Sequence, residues 1–200
     1  MLDKLISFLY PARCIFCGGI SKDKICGDCE KPEPVSENFA MWLYDGGPRN
    51  AVLAFKFSNR MEYGRSLAHF MARDITAKKV HEGIDLIIPV PLHKSRLRIR
   101  GYSQTAILAE YLGYRLKIPV DYKSLVRNRN TSPQMNLSKE ERVLNLEGSM
   151  SLVKSEGIKG KAILLIDDIY TTGSTMKECG RVLEEGGAGL VRYFSVCYQR

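Results

Sequence analysis

Residues 163–175 read ILLIDDIYTTGST, and this stretch sets the fold. Ile163, Leu164, Leu165 and Ile166 form an unbroken aliphatic run, which predicts a short parallel strand buried on both faces, its carboxyl end opening into the crevice where α/β sheets take ligands. Asp167 and Asp168 fall at that edge. Thr171, Thr172, Gly173, Ser174 and Thr175 then supply four hydroxyls, a glycine that lets backbone approach a ligand, and free N–H groups at the start of a helix, a nest suited to phosphate. Met176, Cys179 and Leu183 recur at helical spacing, Gly186-Gly187 ends the helix, and Leu190 to Cys197 reads as a second strand, completing a βαβ unit. Ionised carboxylates accept hydrogen bonds and repel one another, so Asp167 and Asp168 suit the vicinal hydroxyls of a ribose or a hard cation such as Mg²⁺.

The stretch lacks the Gly-Lys-Ser/Thr ending of a Walker loop and the G-x-G-x-x-G of a dinucleotide site. It resembles, without a gap, the 5-phosphoribosyl 1-diphosphate (PRPP) signature of type I phosphoribosyltransferases: a hydrophobic run, Asp-Asp, a hydrophobic residue, any residue, Thr-Thr-Gly, any residue, Thr.

At 200 residues the chain holds one full core and a small appendage. A hydrophobic content of 44% and a charged content of 26% belong to a soluble globular protein. No apolar run is long enough for a membrane span, and residues 1–11 carry Asp3 and Lys4 around a short apolar stripe without a cleavage-like end, so a cytoplasmic location is expected. The net charge of +8 is concentrated: residues 92–130 hold nine basic side chains against Glu110 and Asp121, whereas residues 1–36 balance to zero. Such an excess fits an anionic ligand or a nucleic-acid surface; a solvated basic face is the alternative.

Four of the six cysteines form Cys14-x-x-Cys17 and Cys26-x-x-Cys29, a pattern that places four thiolates around a tetrahedral Zn²⁺. A segment this small has too few apolar residues to fold unaided, so metal binding is expected to supply its folding energy. Two disulfides or redox-active thiols are the competing readings. Cys179 and Cys197 read as core residues. The expected organisation is a zinc-binding module at residues 1–36 and an α/β domain at 37–200, with Lys31-Pro32-Glu33-Pro34 as a stiff linker.

In between, Met41 to Tyr44 and Ala51 to Phe57 have strand-like composition around the turn Asp45-Gly46-Gly47-Pro48. Leu67, Phe70, Met71 and Ile75 line a helix, and Ile84 to Ile88 a buried strand. Residues 92–102 read as a loop carrying His93, Lys94, Arg96, Arg98 and Arg100, placed to supply cationic donors to a departing diphosphate or to face solvent. Ser103 is the expected N-cap of a helix ending at Gly113. Residues 127–145 read as a long mobile loop, either a lid over charged substrate or surface linkage. Arg96, Arg98, Arg100, Arg127 and Arg129, with interspersed tyrosines, are the candidate nucleic-acid contacts.

The tandem cysteine pairs, AFKFSNR (residues 54–60), PVPLHKSRLRIRGYSQTAILAE (89–110), RNRNTSPQMNLSKEER (127–142) and DDIYTTGST (167–175) together resemble the ComF family of competence proteins. The resemblance implies a zinc module fused to a type I phosphoribosyltransferase domain with a mostly parallel sheet flanked by helices, and a part in importing single-stranded DNA. By position it places Asp167 and Asp168 on the PRPP ribose and its Mg²⁺, Thr171, Thr172, Gly173, Ser174 and Thr175 on the 5-phosphate, and Leu92, His93 and Lys94 on the diphosphate. Ser103 departs from the commoner Asn of the family's Arg-Gly-Phe/Tyr-Asn-Gln segment. Two functions follow: a PRPP-binding, DNA-handling protein working with other competence proteins, or an active phosphoribosyltransferase that salvages a nucleobase.

Overall fold

Strand Ala162–Tyr170 runs through the middle of the chain's main sheet, and its alternation builds the core on both sides. Ile163 and Leu165 are buried in one apolar cluster, Leu164 and Ile166 in the other, as expected of a strand covered on two faces. The computed structural model describes residues 12–29, 31–58, 60–129 and 148–200. In chain order the elements are β1 (Ala40–Leu43), α1 (Gly46–Phe57), α2 (Met61–Ala77), β2 (Leu86–Pro89), α3 (Lys94–Arg100), α4 (Gln104–Leu116), β3 (Leu125–Arg127), β4 (Met150–Leu152), β5 (Ala162–Tyr170), α5 (Ser174–Glu185) and β6 (Leu190–Tyr198). The main sheet has the order β1-β6-β5-β2, and every pairing in it is parallel. β3 and β4 form a separate antiparallel pair.

Helices α1, α2 and α4 pack on the face that buries Leu164, Ile166, Phe194 and Val196. On the other face, Met176, Cys179, Val182 and Leu183 of α5 meet Leu125 and Met150 of the small sheet. The predicted βαβ unit is present, with β5 and β6 parallel on either side of α5. The expected mostly parallel, helix-flanked sheet is therefore the one observed.

Several local readings need correction. Residues 51–57 are helical, not a strand: Pro48, Ala51, Val52 and Phe55 are the buried positions of α1, and that i, i+3, i+4, i+7 spacing outweighs the β-rich composition. Residues 94–100 form α3 rather than a loop, with His93 at the N-cap and Gly101 closing the helix at φ +78°. Helix α4 passes through Gly113 and ends at Leu116. Gly113 is there for space, since a Cβ on it would meet the side chain of Val120 and lie 2.9 Å from the Ile118 carbonyl. β2 begins at Leu86, with Ile84 buried just before it. Arg127 is in β3, paired with Met150; residues 130–145 of the expected mobile loop lie outside the described residues, as does the apolar stripe at 1–11. Residues 33 and 34 line the edge of β1, where Leu43 N–H donates to Glu33 O at 2.9 Å.

The cysteine-bearing segment shares the main core. Cys14, Ile15 and Phe16 are buried with Trp42, Phe55 and Tyr63; the Phe16 and Trp42 rings stand 5.5 Å apart, edge to face, and Tyr63 Oη donates to the Cys14 carbonyl at 3.4 Å. Among the described residues no helix is long and apolar enough to cross a membrane.

At Gly64 of α2, a Cβ would approach the Phe55 ring at 2.6 Å and Ile107 at 2.9 Å. Gly64→Ala is therefore expected to destabilise the chain by about 1–3 kcal/mol through overpacking between α1, α2 and α4, read as a lower urea midpoint at unchanged slope.

Candidate functional site

Where β2 and β5 end side by side, the polypeptide leaves a cleft of about 590 Å³. Asp167, Asp168 and Thr175 reach it from the β5–α5 side, Val90, Pro91 and Leu92 from the end of β2, and Lys56, Arg96, Arg100 and Arg127 add four cations. Phe57 and Ile99, 70% and 86% exposed, stand at its mouth. This is the carboxyl edge of the sheet, where the strand-to-helix turns converge.

The two acids divide their surroundings because successive strand residues point to opposite faces. Asp168, 8% exposed, forms an ion pair with Lys56 at 2.8 Å, so α1 supplies a counterion that composition alone concealed. Asp167 is partly exposed, and its Oδ1 accepts from the Asp168 N–H at 2.8 Å. Burial, then the neighbouring Asp168 carboxylate, push the Asp167 carboxyl up to about 7, while Lys56 and Arg127 act in the opposite direction. Burial lowers the Arg127 and Arg96 guanidinium values; repulsion from Arg96 adds to this at Arg127 and from Arg100 at Arg96.

The sign of a raised carboxyl gives a pH prediction. Between the ordinary value of 3.8 and about 7 the folded chain binds more protons than the unfolded chain, so Asp167 contributes stability at low pH that is lost as pH rises through this window. Asp167→Asn is expected to flatten that slope and to be more stable than wild type at pH 8 by about 1–3 kcal/mol, measured by denaturant titration across pH.

The turn after the acids is held by its own short contacts. Gly173 takes φ +74° as N-cap of α5, and a Cβ there would collide with the Tyr170 ring. Ser174 N–H donates to Thr172 Oγ1 at 3.4 Å, and the Thr172 and Ser174 hydroxyls are 2.7 Å apart. Thr175 lines the cleft beside the acids, whereas Thr171, Thr172, Gly173 and Ser174 form the turn next to it.

The remaining candidates separate. Leu92 lines the cleft. His93 accepts from the Ser95 N–H at 3.2 Å and sits 2.8 Å from the Ser95 hydroxyl, which makes it the cap of α3; Lys94 is exposed at the first residue of that helix. Arg96, Arg100 and Arg127 line the cleft, while Arg98 and Arg129 are exposed outside its wall. Ser103 caps α4 by accepting from the Ala106 N–H at 3.3 Å; Ser and Asn are both strong caps, so the departure at this position conserves the chemistry. Sequence reasoning missed Lys56 and Gln104 as site residues. Both lie in stretches that carry the family resemblance, Lys56 in residues 54–60 and Gln104 in residues 100–104, which was the available signal, while local spacing gave neither a role.

The four cysteines also come together. The sulfurs of Cys14, Cys17, Cys26 and Cys29 lie within 4.8 Å of one another, with Cys14–Cys29 at 3.6 Å, Cys17–Cys26 at 3.7 Å and Cys26–Cys29 at 3.5 Å. A tetrahedral ion with metal–sulfur bonds of about 2.3 Å needs sulfur separations of about 3.8 Å, so the set fits a metal, and the sulfurs are too far apart for disulfides. Cys14 Sγ accepts from the N–H groups of Phe16 at 3.4 Å and Cys26 at 3.3 Å. Burial opposes its ionisation, yet these backbone donors and those of Cys17 bring the thiol down to about 6.

The fold, the acid pair and the hydroxyl-rich turn define a phosphoribosyltransferase-type domain, and the phosphoribosyl transferase domain family matches residues 100–200. Competence protein F of Haemophilus influenzae is 34% identical over 169 residues, covering 81% of this chain and 73% of that protein. DNA utilization protein YhgH of Salmonella typhi is 30% identical over 176 residues, 86% of this chain and 77% of its own; Competence protein ComFC of Streptococcus pneumoniae is 29% identical over 174 residues, 86% and 74% respectively. The chain belongs to the ComF family of competence proteins. Among solved structures, the glutamine PRPP amidotransferase of B. subtilis aligns with a TM-score of 0.47 at 17% identity, over 71% of this chain and 30% of that one.

Proposed function

We propose that this chain is a cytoplasmic, competence-associated protein that binds PRPP with Mg²⁺ and takes part in handling imported single-stranded DNA. One observation carries the reading: both acids and Thr175 share a single cleft with four cations. Asp167 and Asp168 accept the vicinal ribose hydroxyls and hold Mg²⁺, the residues from Thr171 to Thr175 hold the 5-phosphate through hydroxyls and the α5 N-terminus, and the segment Leu92–His93–Lys94 flanks the diphosphate. Mg²⁺ supplies charge neutralisation on the diphosphate. The chain's own part is positioning: Arg96, Arg100 and Arg127 draw the diphosphate to one side of the cleft while the turn fixes the opposite end of the sugar.

Residues 1–36 form the metal module, with Cys14, Cys17, Cys26 and Cys29 holding Zn²⁺, and residues 37–200 the phosphoribosyltransferase-like domain. The role in DNA handling draws on the names of the relatives and on the basic excess. Arg98 and Arg129 are exposed and lie outside the cleft lining, which puts their charge on a surface that a phosphate backbone reaches, and Arg96, Arg100 and Arg127 can extend that surface. Two assays on the whole protein test the proposal. Single-strand binding is expected to weaken in an Arg98→Ala, Arg129→Ala variant, with a salt slope smaller by about 1.4; unchanged affinity and slope refute this DNA surface. Diphosphate release from PRPP, followed with a panel of nucleobases, separates a binding protein from a salvage enzyme, since turnover with any base establishes the second.

A further inference from the structure

Gln104 opens α4 with only 3% of its surface exposed, yet it lines the cleft. Arg100 Nη1 donates to its Oε1 at 2.8 Å. A guanidinium has donors and no acceptor, so this bond settles which end of the amide is oxygen and turns the nitrogen away from Arg100. Nε2 then has no hydrogen-bond acceptor among the described residues. Its polar neighbours are satisfied: Thr105 Oγ1 donates to the Val90 carbonyl at 2.8 Å, and Ser103 Oγ accepts from the Ala106 N–H. A buried donor left unpaired costs free energy that any ligand bringing an acceptor recovers.

We propose that the Gln104 amide is a specificity-determining donor for an oxyanion of the diphosphate class seated beside Arg96, Arg100 and Arg127, with Arg100 as its positioning residue. The inference rests on the PRPP-binding reading and adds to it the group that selects the leaving end of the ligand. An amine would bring only donors against Gln104 Nε2 and the guanidiniums of Arg96, Arg100 and Arg127, none of which accepts a hydrogen bond. Phosphate oxygens bring acceptors alone, answering Nε2 and the guanidiniums together. The N-terminus of α4, thirteen residues long, adds a favourable dipole for negative charge at the same place. Arg100 also lies over the Phe57 ring at 5.1 Å, so the side chain that orients the amide is itself held from a second side.

Calorimetric titration of the whole protein with inorganic diphosphate and, separately, with ribose 5-phosphate, both in Mg²⁺, tests this. Gln104→Met is expected to weaken diphosphate about tenfold or more and to leave ribose 5-phosphate unchanged. Gln104→Glu keeps an acceptor for Arg100 while turning the donor into a carboxylate, and is expected to abolish diphosphate binding; it serves as the comparison if the methionine variant does not fold. Diphosphate affinity at wild-type strength in either folded variant, or equal weakening of both ligands, overturns the proposal. Wild-type protein that binds ribose 5-phosphate but not diphosphate also overturns it, whereas failure to bind either ligand overturns the reading beneath it.

Discussion

Removing the proposed metal from the cysteine cluster, by chelation or by Cys14→Ser, is expected to destabilise the whole chain rather than its first segment alone. Structural zinc sites contribute binding free energies on the order of 10 kcal/mol at neutral pH, while a domain's net stability is only about 5–15 kcal/mol. Here the cluster is not set apart: Cys14, Ile15 and Phe16 are buried in the core that holds Phe55, Leu67 and Ile166. Gly47 of α1 leaves the room that the Phe16 ring occupies. Losing the thiolate geometry therefore loosens the packing of α1 and α2 as well. Trp42, the one tryptophan in the chain, touches Phe16 edge to face, so its fluorescence reports both events. A single transition lowered by several kcal/mol is the expected result; an unchanged midpoint after chelation contradicts it.

A second large effect is expected at Lys56. The ion pair with Asp168 is mostly buried, the two side chains being 17% and 11% exposed, so Lys56→Met strands a carboxylate with little water to solvate it. Breaking such a pair costs about 3–5 kcal/mol, much of it the penalty on the partner left behind. Adding Asp168→Asn removes that penalty, so the double variant is expected to recover most of the loss, giving a coupling of about 2 kcal/mol or more in a double-mutant cycle. Additive effects would mean that the 2.8 Å contact contributes nothing to the fold.

Much of the architecture was legible because β5 and α5 are locally consistent. An aliphatic run, a glycine at positive φ and an amphipathic helix all specify the same βαβ unit. The cysteine spacing was equally explicit. Reading failed where composition and periodicity disagreed. Ala51 to Phe57 contains Val and Phe and looks strand-like, but burial follows the helical positions 48, 51, 52 and 55. α3 was hidden because none of its residues is buried, leaving no apolar stripe to detect; its helicity rests on the His93 cap and on Gly101. The site was half legible. The acids and the turn are contiguous, whereas Lys56, Gln104 and Arg127 are brought to the same cleft by tertiary packing that sequence spacing does not encode.

PRPP titration with and without Mg²⁺, on wild type and on the Asp167→Asn/Asp168→Asn variant, bears most directly on whether the acid pair and the threonine turn grip opposite ends of one phosphorylated pentose. Wild type is expected to bind with an affinity that rises when Mg²⁺ is present. The double variant is expected to lose about a hundredfold or more, equivalent to about 2.7 kcal/mol, together with the Mg²⁺ dependence. Equal affinity across all four titrations would contradict the assignment of the cleft.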